Sequence, residues 1–167
     1  MVLAATKREQ ILIKQKLKSN PPQSFPMPID HRTESILGIP AATITTPTNN
    51  TRVEKSEFVK GTAHNFEGEQ YYLWLVLYDY NANRHYPQDG PVGVSSDGQW
   101  EMTAFFESIG RYDTTAVVAD QNANEILLQY QAASQSRADY PGLSALPPGC
   151  ITLASVTVSR RESSGCR

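Results

Sequence analysis

Residues Tyr71–Tyr78 read Tyr-Tyr-Leu-Trp-Leu-Val-Leu-Tyr, the longest uninterrupted apolar run in the chain. It falls far short of the roughly 20 residues that a transmembrane helix needs. Its β-branched and aromatic content makes it a strand. Successive strand side chains point to opposite faces, so Tyr72, Trp74, Val76 and Tyr78 share one face and Tyr71, Leu73, Leu75 and Leu77 the other. A sandwich strand with one wet face alternates apolar and polar residues, and this one does not. Both faces must therefore be covered. One cover is an opposing sheet; the other is a helix of the same chain, the N-terminal segment or a partner protein, with the chain's own helix the first choice.

The rest of the body supplies the opposing sheet. Strands are predicted at Ala42–Thr46, Glu57–His64, Gln70–Tyr80, Gln99–Phe106, Tyr112–Ala119 and Ile151–Ser159, with weaker candidates at Thr51–Val53 and Val92–Ser95. Turn signals lie between them at Glu67-Gly68, Asp89-Gly90, Asp97-Gly98 and Ile109-Gly110. Short strands at this spacing predict an all-β fold, an antiparallel sandwich. One stretch departs from it. Ala123, Ile126, Leu127 and Tyr130 follow helical spacing, and Asn122 with Glu125 resembles a capping box, so a helix is predicted near 122–132, inserted before the last strand. Ser134–Gly149, ending in Leu-Pro-Pro-Gly, delivers the chain into that strand. The expected organisation is a basic helix and extended arm over 1–40, a sandwich over 41–160 and a polar tail over 161–167.

The arm differs from the body in charge. Residues 1–35 carry six Lys and Arg against three acids, a net +3, and the remainder carries nine against fourteen, a net −5. Thr6–Lys18 forms at most a marginal helix, ended by Asn20-Pro21-Pro22, and prolines 21, 22, 26, 28 and 40 keep the stretch from 21 to 40 extended. Phe25, Met27, Ile29, Ile36 and Leu37 are apolar anchors that a solvated tail does not need. Such a segment suits docking, in cis or in trans, by strand addition or in a groove, with Phe25 and Ile29 among the contact residues. The first residues lack the basic-then-apolar order of a secretory signal, so a cytoplasmic protein or a component of a larger complex is expected, with export by a non-Sec route as the alternative.

The residues around the central strand resemble a known family. Ile44-Thr-Thr-Pro47, Val53 and Phe58-Val-Lys-Gly61-Thr-Ala63 are similar to the opening strands of bacterial immunoglobulin-like domains, whose usual form is I-x-x-P, then V-x-G-T-A. Asp97-Gly98-Gln-Trp100-Glu-Met-Thr103 resembles their D-G-x-W-x-x-T strand, and Gly110-Arg-Tyr112 through Ala116 to Asp120 resembles the G-x-Y-x-x-x-A-x-x-x-D strand that comes next. The set runs in the right order over residues 42–120. The resemblance implies an Ig-like sandwich used for spacing, adhesion or protein contact, without catalysis, and places Trp74 at the central-strand core position.

Reactive constellations are scarce. Gly93-Val-Ser95-Ser-Asp-Gly98 has the wrong spacing for a nucleophile elbow, and neither glycine-rich phosphate signature occurs. His31, His64 and His85 are unpaired at metal-ligand spacing and none lies within four residues of Cys150 or Cys166, so no metal or other cofactor is expected. Whether those two cysteines pair is open. Carboxylates for glycosidic chemistry, such as Asp79, Asp89, Asp113 and Asp120, have simpler roles at strand ends and turns. Binding chemistry concentrates in Tyr78–Asp89, where Tyr80, Arg84, His85 and Tyr86 are candidate contact residues because rigid aromatics and Arg dominate interface energetics. The alternative for this loop is a hairpin whose tyrosines close the end of the core. The leading functional expectation is a non-enzymatic interaction or assembly subunit with a protein partner or a second copy, neither nucleic-acid-binding nor membrane-spanning. A carbohydrate- or small-ligand-binding module using Tyr80, Tyr86 and Trp100 as stacking platforms comes second, and an uncharacterised hydrolase third.

Overall fold

The computed structural model describes residues 38–66 and 70–162. Its chain order is β1 (Ala41–Thr46), β2 (Thr51–Val53), β3 (Ser56–His64), β4 (Tyr71–Asp79), β5 (Arg84–Pro87), β6 (Gln99–Phe105), β7 (Gly110–Asp120), α1 (Gln121–Arg137) and β8 (Cys150–Arg160). Two sheets form a β-sandwich, one ordered β1-β3-β6 and the other β2-β8-β7-β4-β5. Every pairing of strands is antiparallel except β2 with β8, which is parallel and corrects the expectation of a wholly antiparallel arrangement. The exception arises because the chain leaves the first sheet after β1 and joins the edge of the second as β2; the Thr46–Pro47 peptide between them is cis.

β7 is the middle strand of the five-stranded sheet, and β4 lies between it and the edge strand β5, paired with β7 along its whole length and with β5 at its C-terminal end. The two apolar faces of β4 meet different layers. Leu73, Leu75 and Leu77 join Val59, Ala63, Trp100, Phe106 and Tyr112 in the core between the sheets. Trp74 and Val76 point the other way and pack with Val117, Ala119, Ala123 and Leu127 under α1. The chain's own helix is thus the second cover. Trp74 is fully buried, but beneath the helix and not in the sandwich core, so the position implied by the family resemblance is corrected; the indole in the sandwich core is that of Trp100. At 3% exposure Trp100 is no stacking platform for a ligand either.

Trp100 has its place because Gly61 faces it across the β3–β6 pair. A Cβ at Gly61 would lie 2.7 Å from the indole ring and collide with the backbone carbonyl of Thr43 in β1. The missing side chain is what lets β1 and Trp100 close over β3.

α1 is longer than the spacing predicts, and its buried stripe is rotated. Ala123, Asn124, Leu127, Gln131 and Ser134 face the protein, whereas Ile126 is exposed. The cap is also different: Asp120, extended at the end of β7, accepts the Ala123 N–H at 2.8 Å through its carboxylate, in place of the Asn122 box. A carboxylate there also complements the positive end of the helix dipole. Val92–Ser95, a weak strand candidate, is not a strand; Val92 N–H bonds Leu73 O at 2.7 Å and Val94 forms an isolated bridge to Trp100. No helix among the described residues is long and apolar enough to cross a membrane.

Candidate binding surfaces around the β4–β5 hairpin

The segment Tyr78–Asp89, read from sequence as a contact loop or as a hairpin, is mostly hairpin. Asp79 ends β4 and turns the chain: its Oδ1 accepts the N–H of Asn81 at 2.8 Å and of Ala82 at 3.3 Å, and its carbonyl accepts the N–H of Asn83 at 2.8 Å. Asn83 takes the left-handed conformation, φ 55°, that closes such turns and that Asn tolerates. Arg84–Pro87 then pairs back as β5, with Tyr86 opposite Leu77 and His85 opposite Tyr78. Pro87 is tolerated because β5 is the edge strand of its sheet and the nitrogens at 85 and 87 point away from β4, so no bond to β4 is lost.

Strand parity decides where the candidate residues go. Tyr80, Arg84, His85 and Tyr86 do not form one surface, as the loop reading expects. His85 lies beside Tyr78, with ring centroids 4.8 Å apart, on the outer side of the five-stranded sheet, the side that carries Trp74 further along β4. Tyr86 faces the opposite way and packs against the sandwich core. Arg84 is exposed at the hairpin, its Cβ beside Gly142. Phe25 and Ile29, the other candidates, lie outside the described residues.

The outer side holds an ordered aromatic group. Tyr78 and Tyr80 meet edge to face at 5.1 Å, and Tyr78 donates its hydroxyl to the Asn83 side chain. Tyr80 donates to Asp113 Oδ2 at 2.8 Å while Thr157 donates to Oδ1 of the same carboxylate at 2.6 Å. The Arg111 guanidinium lies over the Tyr80 ring at 4.6 Å. The hydrogen bond to Asp113 is the main reason the Tyr80 phenol is pushed above its ordinary value. Tyr80 still exposes 42% of its surface. His85 is lowered from its ordinary value by burial.

On the inner side a cleft of about 580 Å³ opens beside β5, between the edges of the two sheets. Leu77, Asp79 and Tyr112 line its depth, and Tyr86, Phe105, Tyr130 and Tyr140 its sides. Sequence reading misses it because its rings come from β5, the end of β6, α1 and the connection to β8. Asp79, 5% exposed, accepts a 2.7 Å hydrogen bond from Ser108, whose backbone N–H donates to the Tyr112 hydroxyl at 2.9 Å. The Tyr112 hydroxyl in turn donates to the carbonyl of Ser108 at 2.8 Å, locking the corner between β6 and β7. Burial raises the Tyr86 and Tyr112 phenols, and the negative charge of Asp79 adds to both shifts. Gln88 holds one end of the cleft by accepting the Phe105 N–H at 2.9 Å, and Gln131 of α1 donates to the Gln88 carbonyl and accepts the Gly90 N–H at 3.0 Å.

Across the other edge of β5, His85 and Leu143 exchange two backbone hydrogen bonds of 2.8 and 2.7 Å. Among the described residues no group of three or more His, Cys, Asp or Glu side chains gathers to hold a metal.

No family model and no curated protein matches this chain. Among solved structures it is similar to the X-ray structure of the endo-beta-1,4-mannanase from Thermotoga petrophila, with a TM-score of 0.44 and 8% identity over 79% of this chain. The matched region spans only 22% of the mannanase chain, and a likeness of that degree carries no argument about fold family or activity.

Proposed function

We propose that this chain is a non-enzymatic interaction subunit, an immunoglobulin-like sandwich that meets a protein partner through the outer side of its five-stranded sheet at the β4–β5 hairpin. The observation that carries the reading is the group Tyr78, Tyr80, His85 and Arg111, partly exposed and each held by a neighbour. Side chains already fixed lose little freedom on association, and Tyr and Arg are enriched among the residues that dominate interface energy. Support for the immunoglobulin-like form comes from the strand order and from Tyr112, whose hydroxyl returns to the backbone four residues upstream in the manner of a tyrosine corner.

The test is a native-mass measurement after mild isolation of the full chain, beside a Tyr80→Ser/Arg111→Ser variant. The wild type is expected in a complex well above the 18.5 kDa of one subunit, and the variant as a single subunit with an unchanged melting temperature. A lone subunit in the wild type, or a complex that survives the double substitution, overturns the reading.

A further inference from the structure

The cleft on the inner side of the hairpin has a composition that selects its ligand. Its sides are the rings of Tyr86, Phe105, Tyr130 and Tyr140, and among the described residues no Lys or Arg lines it. Tyr140 and Phe105 expose 50% and 44% of their surfaces at the mouth, so the rings are available to a ligand without rearrangement. Tyr130 accepts the Gly142 N–H at 3.1 Å, which fixes α1 against the connection that carries Tyr140.

The charge of the cleft is negative at two depths. Asp79 is buried, and the partners of its carboxylate are two backbone N–H groups and the Ser108 hydroxyl, all neutral. Asp89 is exposed at the rim and forms no ion pair among the described residues, whereas Glu107, also lining the cleft, is matched by Lys55 at 3.1 Å. Low-dielectric walls focus such a field into the opening. Aromatic faces carry the negative part of the ring quadrupole and add to it. An anionic ligand is repelled and a purely apolar one leaves the charge unused; a cation carried on an apolar stem meets both features.

We infer that this cleft is a binding site for a cationic side chain, a guanidinium or ammonium group presented by a peptide segment of a partner, seated among Tyr86, Phe105, Tyr130 and Tyr140 with Asp79 and Asp89 as counter-charges. Its volume of about 580 Å³ lies within the range of pockets that enclose small ligands and exceeds what one side chain fills, which leaves room for the flanking backbone. The inference rests on the reading of the chain as a protein-binding subunit, but it uses the opposite side of the hairpin.

The probes are acetylarginine amide and acetylcitrulline amide, which match in shape and differ in charge. Each is titrated into the full chain while tyrosine and phenylalanine ring resonances are followed. Acetylarginine amide is expected to shift the Tyr140 and Phe105 rings and to bind about tenfold more tightly than its citrulline counterpart, with the difference shrinking in high salt. Tyr140→Ala and Asp89→Asn, both exposed, are each expected to weaken binding several-fold at an unchanged melting temperature. The Tyr80→Ser/Arg111→Ser variant binds the probe as the wild type does, so failure of the hairpin surface and failure of the cleft are told apart. Equal binding of the two probes, no shift of the cleft rings, or shifts produced by a neutral oligosaccharide but not by acetylarginine amide overturns the inference.

Discussion

The indole N–H of Trp74 donates to the side-chain oxygen of Asn124 at 2.9 Å, inside the buried layer between the five-stranded sheet and α1. A polar helix residue is thereby tied to the middle of an apolar strand. Asn124 is 5% exposed and without the indole would face hydrocarbon.

Trp74→Phe keeps a ring in the layer but removes the donor, and is expected to cost about 1–3 kcal/mol from the stranded amide oxygen. Trp74→Ala adds a cavity and is expected to cost about 3–5 kcal/mol. Denaturant unfolding measures both. A loss under about 1 kcal/mol for Trp74→Ala contradicts the packing of α1 on β4.

Gly61→Ala is expected to destabilise by about 1–3 kcal/mol or more, because the added methyl meets the Thr43 carbonyl and the Trp100 ring together and the backbone cannot step aside. Gly93→Ala is the control. Nothing lies within 4 Å of the added atom there, and thermal melts of the two variants should separate clearly.

The cap of α1 separates two neighbouring residues. Asp120→Ala removes the acceptor for the Ala123 N–H and is expected to cost about 0.5–2 kcal/mol, whereas Asn122→Ala, at an exposed first-turn position, stays within about 0.5 kcal/mol. Equal losses contradict the assignment of Asp120 as cap.

His85 has a pH signature. Its folded value is lowered from 6.5 by burial, so below 6.5 the unfolded chain binds the proton more readily than the folded one. Stability present above 6.5 is therefore lost as pH falls through the folded value. Melting temperature against pH should decline more steeply on the acid side of 6.5 in the wild type than in His85→Gln. Parallel curves leave His85 without this role.

Burial first, and the charge of Asp120 second, raise the Cys150 thiol from 9.0 to about 11. At pH 8 its thiolate fraction is about a hundredfold below that of an ordinary cysteine, and alkylation in a Cys166→Ser background should be slower to match. Addition of denaturant should restore the ordinary rate. Rapid labelling of the native variant contradicts the buried placement.

The doubly apolar run of β4 demands two covers on sequence grounds alone, and the 123/127 spacing identifies a helix able to supply one. Parity by itself does not say which face meets which layer, and the family resemblance puts Trp74 in the wrong one. The stripe of α1 is rotated from its apolar spacing because Asn124, Gln131 and Ser134 are buried polar residues, and the bonds that satisfy Asn124 and Gln131 come from Trp74 and the 88–90 segment, far away in sequence. Arg84–Pro87 carries no strand signal of its own. It is extended because β4 pairs with it on one side and Leu143 on the other, and once it is extended His85 and Tyr86 must part company. The cleft is illegible for the same kind of reason: Tyr86, Phe105, Tyr130 and Tyr140 converge only through the fold.

The two hydrogen bonds between His85 and Leu143 have a consequence for how copies of this protein can meet. An edge strand with free N–H and C=O groups is a template onto which another chain can polymerise. Here the segment after α1 already occupies that place on β5, and it is anchored by Tyr130 through Gly142 as well as by the bridge itself. Growth of the five-stranded sheet past β5 would first require peeling away the chain's own connection, so this flank is terminated against runaway fibre-like extension.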